Sequence, residues 1–414
     1  MGERRVVITG LGCITALAET ADGLFSALCE GKSGISTIQK FDTSGYPTRI
    51  AGEIVTFDPN KYINKRESKR MDRFTQLAVA AAKQAVEESG LNFTKENAFR
   101  VGVIIGTGIG GIKEIEEQHI KLLKSGPMRV SPFAVPRLMA NAACGNIAIM
   151  YGLEGPNLAV SSACASGSHA IGEAYSNVAC GRSDVVITGG TEAAVTPIAL
   201  ASFCAARSLS KRNDSPEKAS RPFDIDRDGF ILAEAAGVLI LEDYEHAKKR
   251  GANIYAEVLG YGATDDGYHI TAPLPDGSGA AKAIDYALKD AEIDPEDVDY
   301  INAHGTSTEL NDISESMAIK SIFGEYAYEL SVSSTKSCLG HSLGATGAIE
   351  LLVCAKVINE SVIPPTINLD NLDERCDSKI DYVPHQAKEK KVNVAISNSF
   401  GFGGHNACLV VGKV

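Results

Sequence analysis

The second half of this chain repeats the first. Ala85-Val86-Glu87-Glu88-Ser89-Gly90-Leu91 leads into the apolar run Val101-Gly102-Val103-Ile104-Ile105 and then Gly106-Thr107. Ala287-Leu288-Lys289-Asp290-Ala291-Glu292-Ile293 leads in the same way into Val298-Asp299-Tyr300-Ile301 and then His304-Gly305-Thr306. A second pair follows: Cys164-Ala165-Ser166-Gly167-Ser168-His169-Ala170-Ile171-Gly172-Glu173 is echoed by His341-Ser342-Leu343-Gly344-Ala345-Thr346-Gly347-Ala348-Ile349-Glu350, each opening a helix after a strand. Short apolar runs between turn residues read as strands covered on both faces. Further runs of this kind stand at Val6–Gly10, Asp184–Gly190 and Ala236–Leu241, with helical patterns over 22–31, from Phe74 to about Ser89, and within 132–150. Strands alternating with helices in two similar halves predict a layered α/β body, divided here at 1–254 and 255–414. The repeat places Cys164 and His341 near a shared pseudo-two-fold axis.

Chemistry collects at the ends of these strands. The apolar run closing on Cys164 passes through small residues straight into a helix, so the thiol stands at a helix N-terminus. Free N–H groups and the helix dipole favour negative charge there and lower a thiol's pKa. The alternative is an inert buried cysteine, and this stretch alone leaves both open. Three further loops have the same character: Asn302–Asp312 around His304, Ser333–His341 with Lys336 and His341, and the glycine-framed Asn398–Asn406 with Phe400. A histidine at a strand end is often only structural, and glycine loops mostly make turns. An exposed phenylalanine between glycines suits a hinged cover whose N–H serves an oxyanion. The run Gly106-Thr107-Gly108-Ile109-Gly110-Gly111 departs from the dinucleotide spacing and reads as close packing or a pocket wall.

The chain has 414 residues, enough for two domains or one large two-part body. Its net charge of -12 disfavours nonspecific contact with nucleic acid or an anionic membrane. Ten cysteines include no CxxC pair and none at metal-ligand spacing with histidine, which argues against a zinc site. With no signal peptide they read as reduced thiols of a cytoplasmic protein, and no apolar run is long enough to cross a bilayer. A basic cluster of Lys65, Arg66, Lys69 and Arg70 is either a solvated helix face or a docking patch.

Taken together, the Cys164 segment, Arg221-Pro222-Phe223-Asp224 with Arg227-Asp228-Gly229-Phe230, Asn302–Thr308, Ser334–His341 and Asn398–Asn406 closely resemble the elongating β-ketoacyl-acyl carrier protein synthases, and their synthase II branch most, over nearly the full chain. The resemblance implies a thiolase-like fold in αβαβα layers. It implies Cys164 as nucleophile, His304 and His341 handling decarboxylation, and Lys336 orienting His341. Glu315 matches a structural acid near that lysine; Thr306 and Thr308 match contacts to the phosphopantetheine arm or malonyl group; Phe400 matches the gate and, with Cys164, the oxyanion hole. Phe203 matches a pocket residue beside the entrance, and the small, apolar segments around Ile109 and 132–150 suit the wall of an acyl tunnel.

The implied reaction moves an acyl chain from acyl carrier protein to Cys164, decarboxylates malonyl-carrier protein and condenses the two. It implies no cofactor beyond the carrier's phosphopantetheine and no metal. Docking of the carrier falls to Lys65, Arg66, Lys69, Arg70 and Arg207, and the expected assembly is a homodimer. Two departures, Ala233-Glu234-Ala235-Ala236-Gly237 for the usual Gly-Glu-Gly-Ala-Gly and Thr15–Ala18 for Pro-Leu-Gly, bear on the branch. They keep open a type II polyketide ketosynthase paired with a chain-length subunit. A degradative thiolase would want a second catalytic cysteine where Phe400 stands, and an initiating synthase would lack one histidine. A chain-length subunit would lack Cys164.

Overall fold

The computed structural model describes residues 4–95 and 97–414. Ten strands form its main sheet: β1 Val6–Thr15, β2 Val101–Gly106, β3 Asn157–Val160, β4 Val185–Ala193, β5 Glu234–Asp243, β6 Ala256–Asp265, β7 Tyr300–Asn302, β8 Ser331–Ser333, β9 Val394–Gly401 and β10 His405–Gly412. They lie in the order β3-β2-β4-β5-β1-β6-β10-β9-β7-β8. Adding five to each strand of the first half gives the second half read outward from the centre. The repeat therefore survives as topology, and the two halves meet where β1 pairs antiparallel with β6 over Val6–Ile8.

Six helices follow the same rule: α1 Arg73–Ser89, α2 Ile112–Ser125, α3 Ser166–Ala179, α4 Ser278–Asp290, α5 Glu309–Phe323 and α6 Thr346–Glu360. Helix α1 covers β1 from outside and α4 covers β6, and both approach to backbone contact. A Cβ on Gly10 or Gly12 would lie 2.2 and 2.0 Å from the carbonyl oxygens of Ala85 and Ala81; on Gly260 or Gly262 it would lie 2.5 and 2.1 Å from those of Ala287 and Ala283. The Gly-x-Gly in each seam strand is thus a packing requirement. Helices α3 and α6 lie between the half-sheets, which yields the thiolase-like αβαβα layers. In α6 every residue from Thr346 to Ile358 is buried, so this helix is apolar nearly all round.

The central helices cross at Gly167 and Gly347. A Cβ on Gly167 would lie 2.8 Å from Gly344 O, and one on Gly347 would lie 2.0 Å from Ser168 Oγ. Each helix is preceded by a 3-10 turn, Ala163–Ala165 and Leu343–Ala345, whose first residue is left-handed: φ is 49° at Ala163 and 46° at Leu343. Such a conformation costs a non-glycine residue of order 1–3 kcal/mol. The matching turns correct the repeat register. The counterpart of Cys164 is Gly344, and His341 stands three positions earlier.

Replacing Gly347 by Ala tests the crossing. In an ordinary helix this change stabilises by up to about 1 kcal/mol; here the added methyl meets Ser168, whose hydroxyl is bonded to Ser399 Oγ at 2.8 Å. Overpacking of about 1–3 kcal/mol wins. Thermal unfolding followed by circular dichroism will show a lowered midpoint, and a midpoint at or above the parent's refutes so close a contact.

Candidate active site

Strand β3 delivers Cys164 into the turn ahead of α3, and its side chain is only 7% exposed. His304 leaves the end of β7, and Glu315 on α5 fixes its backbone, accepting from His304 N at 2.8 Å and Gly305 N at 2.7 Å. His341 reaches the same point from ahead of the second turn. The Cys164 sulfur and one nitrogen from each imidazole lie within 4.8 Å of one another, all three residues buried. The two rings stand edge to face, centroids 5.3 Å apart. The repeat's expectation that the halves bring these groups together is met.

Their hydrogen bonds set distinct roles. Lys336 Nζ lies 3.3 Å from His304 Nδ1 and 2.5 Å from His304 O. An ammonium can only donate, so Nδ1 accepts and the proton of neutral His304 sits on Nε2. His341 Nδ1 lies 3.0 Å from Thr346 Oγ1, while its Nε2 is buried with no hydrogen-bond partner. Phe230 packs edge-on against the His341 ring at 5.4 Å. Lys336 therefore orients His304, not His341; it reaches His341 only as a charge. The acid bonded to it is Glu350, at 2.5 Å, whereas Glu315 holds the His304 backbone. Glu350 was quoted in the repeat but given no role, because a glutamate inside a helix ordinarily faces water.

Burial drives both imidazoles well below their ordinary pKa, and the Lys336 cation pushes them further. Burial also pushes the Cys164 thiol up to about 11, against the pull of the Phe402 backbone N–H and Lys336 and with a further push from Glu192. The helix N-terminus does not make the resting thiol acidic, contrary to expectation, because loss of water outweighs it. The free protein holds a thiol beside two neutral imidazoles.

Phe402 corrects the other sequence expectation. Strand β9 keeps its pairing through Phe400, opposite Asn406, and the Phe400 ring sits on Ala280, Ala281 and Ala318 with its centroid 5.8 Å from that of His304. The backbone N–H facing the Cys164 sulfur belongs to Phe402, at the turn beyond. Phe402 is 36% exposed and lines the cavity, so both features expected of Phe400, an exposed ring and a backbone N–H beside the sulfur, stand at Phe402. Gly403 N ties this turn to Ile270 O at 2.7 Å.

A cavity of about 600 Å³ opens over Cys164, His304 and His341. Thr306 and Thr308 line it, their hydroxyls 2.8 Å apart, as do Phe203, Ile109, Phe400 and, at the rim, Arg207. Lys65, Arg66, Lys69 and Arg70 are exposed and are not part of the cavity wall. The Arg70 guanidinium lies 5.3 Å from the centre of the Phe133 ring.

Comparison with known proteins now bears on this geometry. Residues 3–247 match the description "Beta-ketoacyl synthase, N-terminal domain", and residues 255–370 match "Beta-ketoacyl synthase, C-terminal domain". The chain belongs to the β-ketoacyl synthase family. It is 52% identical to the 3-oxoacyl-[acyl-carrier-protein] synthase 2 of Synechocystis sp., covering 99% of this chain and 98% of that one. The protein of the same name from Coxiella burnetii is 49% identical over 100% of both. Among solved structures, a β-ketoacyl synthase from Burkholderia phymatum superposes with a TM-score of 0.92 at 36% identity, covering 99% and 100%. A type II polyketide synthase acyl-carrier protein in complex with its ketosynthase matches at 0.93 and 35%, covering 100% of both chains.

The β-ketoacyl synthase's thiol is testable directly. A thiol held at about 11 keeps gaining reactivity far above the ordinary 8.5. Iodoacetamide labelling of Cys164 in the free protein, followed by peptide mass spectrometry, will still be climbing at pH 9.5. A plateau below pH 8 contradicts the buried-thiol account.

Proposed function

We propose that this synthase elongates acyl chains carried on acyl carrier protein, releasing a 3-oxoacyl chain two carbons longer. The observation that carries the reading is the buried Cys164–His304–His341 trio at the floor of an open cavity. In the first half-reaction the Cys164 sulfur attacks the acyl thioester and the new C–S bond forms. His341 Nε2, the unpartnered nitrogen, relays the thiol proton to the departing carrier sulfur. The backbone N–H groups of Cys164 and Phe402 hold the tetrahedral oxyanion; loss of one such donor commonly costs about 3–4 kcal/mol. Splitting the transfer through an acyl-enzyme lowers each barrier.

In the second half-reaction malonyl-carrier protein loses its carboxylate as CO₂. His304 Nε2–H donates to the thioester oxygen as enolate charge builds. The carbanion attacks the Cys164-bound carbonyl, Cys164 departs as thiolate, and one proton from solvent restores the thiol. On this reading Thr306 and Thr308 hold the pantetheine arm or malonyl group, Phe203 and Ile109 line the acyl path, and the protein supplies no cofactor of its own. Exposed Lys65, Arg66, Lys69 and Arg70, with Arg207 at the rim, meet the acidic carrier and act chiefly on association rate and salt dependence. Relatives named 3-oxoacyl-[acyl-carrier-protein] synthase 2 stand at 49–52% identity over the full chain, against 35% for the ketosynthase of the type II polyketide complex. That difference favours the fatty-acid role.

The working unit is a homodimer. Strand β3 is a free sheet edge with Leu158 50% exposed, and nearby segments expose Ile149, Val135 and Met128. An unprotected edge with apolar flanks is a template for pairing, and a second copy satisfies it isologously. Light scattering after size exclusion will read twice the 43.7 kDa chain mass, and Leu158→Lys will shift it toward one; a monomeric parent protein rules the dimer out.

Intact mass spectrometry tests the chemistry. Incubation with acyl-carrier protein alone will add one acyl mass, located on Cys164, and Cys164→Ala will abolish it. Labelling of another cysteine, or none, sinks the mechanism.

A further inference from the structure

One buried carboxylate beside the nucleophile has no part in the steps above. Glu192, near the end of β4, is fully buried. Its Oε1 accepts from Thr107 Oγ1 at 3.0 Å and Ile109 N at 3.2 Å; its Oε2 accepts from Gly108 N at 2.7 Å and Gly344 N at 3.1 Å. Three of these donors belong to the loop after β2 in the first half of the molecule. The fourth belongs to the turn opening α6 in the second half. Both segments line the active-site cavity, through Ile109 and Leu343, and Leu343 packs in one apolar cluster with Cys164.

The contact is close from every side. A Cβ on Gly108 would lie 2.9 Å from Glu192 Oε2, and one on Gly344 would lie 2.8 Å from it and 2.3 Å from Gly108 N. Both glycines leave room for the carboxylate. Only a carboxylate supplies two oxygens that each accept twice. An amide, whichever way it flipped, would aim its NH₂ at one or more backbone N–H groups that cannot turn away.

Resting on the acyl-transfer role proposed above for Cys164, we propose that Glu192 is a positioning residue for that half-reaction. It ties Ile109 and Leu343, one from each half of the molecule, into a fixed acyl path beside the nucleophile. Its four donors favour the ionised form against burial, which raises the carboxyl's pKa, and that form has a second effect, opposing thiolate formation at Cys164. The other groups acting on that sulfur are the Lys336 cation and the backbone N–H groups of Phe402 and of Cys164 itself, with the His304 and His341 rings facing it.

The test compares Glu192→Gln and Glu192→Asp with the full-length parent, using two readouts that a merely structural role would not separate. The first is the rate of Cys164 acylation by a long-chain acyl-carrier thioester, set against malonyl-carrier decarboxylation by the same sample. The second is the pH midpoint of Cys164 alkylation. In Glu192→Gln, acylation will fall at least tenfold and decarboxylation less than threefold, and the alkylation midpoint will move to lower pH. Glu192→Asp keeps the charge but shortens the reach, so it will share the selective loss with the parent's midpoint, and it carries the test where the amide variant does not fold. Parallel losses in both half-reactions, unchanged acylation, or an unmoved midpoint in Glu192→Gln overturns the inference. A parent protein that does not acylate Cys164 at all overturns the proposed function instead.

Discussion

Everything in this active site hangs on how closely α3 and α6 cross. Gly167 and Gly347 let the backbones meet, and the crossing fixes the two 3-10 turns at the helix N-termini against each other. Cys164 sits on one turn, and His341 leads into the other. Small residues at a helix contact ordinarily reflect packing economy. Here they set a catalytic distance. A wider crossing would separate the sulfur from the second imidazole without unfolding either half. The strained φ at Ala163 and Leu343 belongs to the same constraint, because the chain must turn sharply from strand to helix where no space remains for a gentler bend.

Within that frame, desolvation decides the electrostatics. Burial strips most water from Cys164, His304 and His341 alike, which disfavours the charged form of each and favours thiol, imidazole, imidazole. Lys336 is the buried cation of the group, held by Glu350, and it reinforces neutrality in both rings. A buried ion pair of this kind is weak support for stability; its position is better explained by what it does to His304. By occupying Nδ1 it leaves Nε2–H as a donor facing the cavity, which is what a developing enolate needs. Charge is thus absent from the reacting groups at rest and supplied beside them, where it can stabilise what forms later.

Much of this was legible in the sequence, with errors of a consistent kind. The layered α/β body in two similar halves followed from the repeat, because apolar runs, helical stretches and Gly-Thr ends recur in the same order; the order of strands in the sheet did not. Whereas His304 entered through the family resemblance, the approach of Cys164 to His341 followed from the same repeat. The register within it slipped by three because equivalence there is defined by the left-handed residue ahead of each helix, and nothing in Ala163 or Leu343 announces that conformation. Phe400 was preferred to Phe402 for a similar reason. Sequence does not show how far a hairpin's pairing continues into its glycine loop, and pairing through Phe400 leaves Phe402 at the turn. Glu350 and Glu192 were missed because a single glutamate in a helix or strand usually faces solvent. The available signal was their apolar company: Glu192 lies near the end of a strand buried throughout, and Glu350 lies among the apolar residues of a helix buried from Thr346 to Ile358.

The duplication also explains why the halves are not interchangeable. Each carries a turn ahead of a central helix, with an N–H free to bind an anion. In the first half the turn carries a sulfur, and its N–H faces the reacting carbonyl. In the second half the equivalent residue is Gly344, whose N–H is already taken by Glu192 from the first half. That bond occupies the N–H of the second turn. A nucleophile in the second turn would have no free N–H opposite it, and a side chain at Gly344 would strike Gly108 and Glu192. The second turn is therefore restricted to supplying the wall and, three residues earlier, the imidazole. On the proposed reading, one symmetric framework carries the nucleophile on one side and the imidazole that serves it on the other, with one buried carboxylate closing the second turn from across the axis.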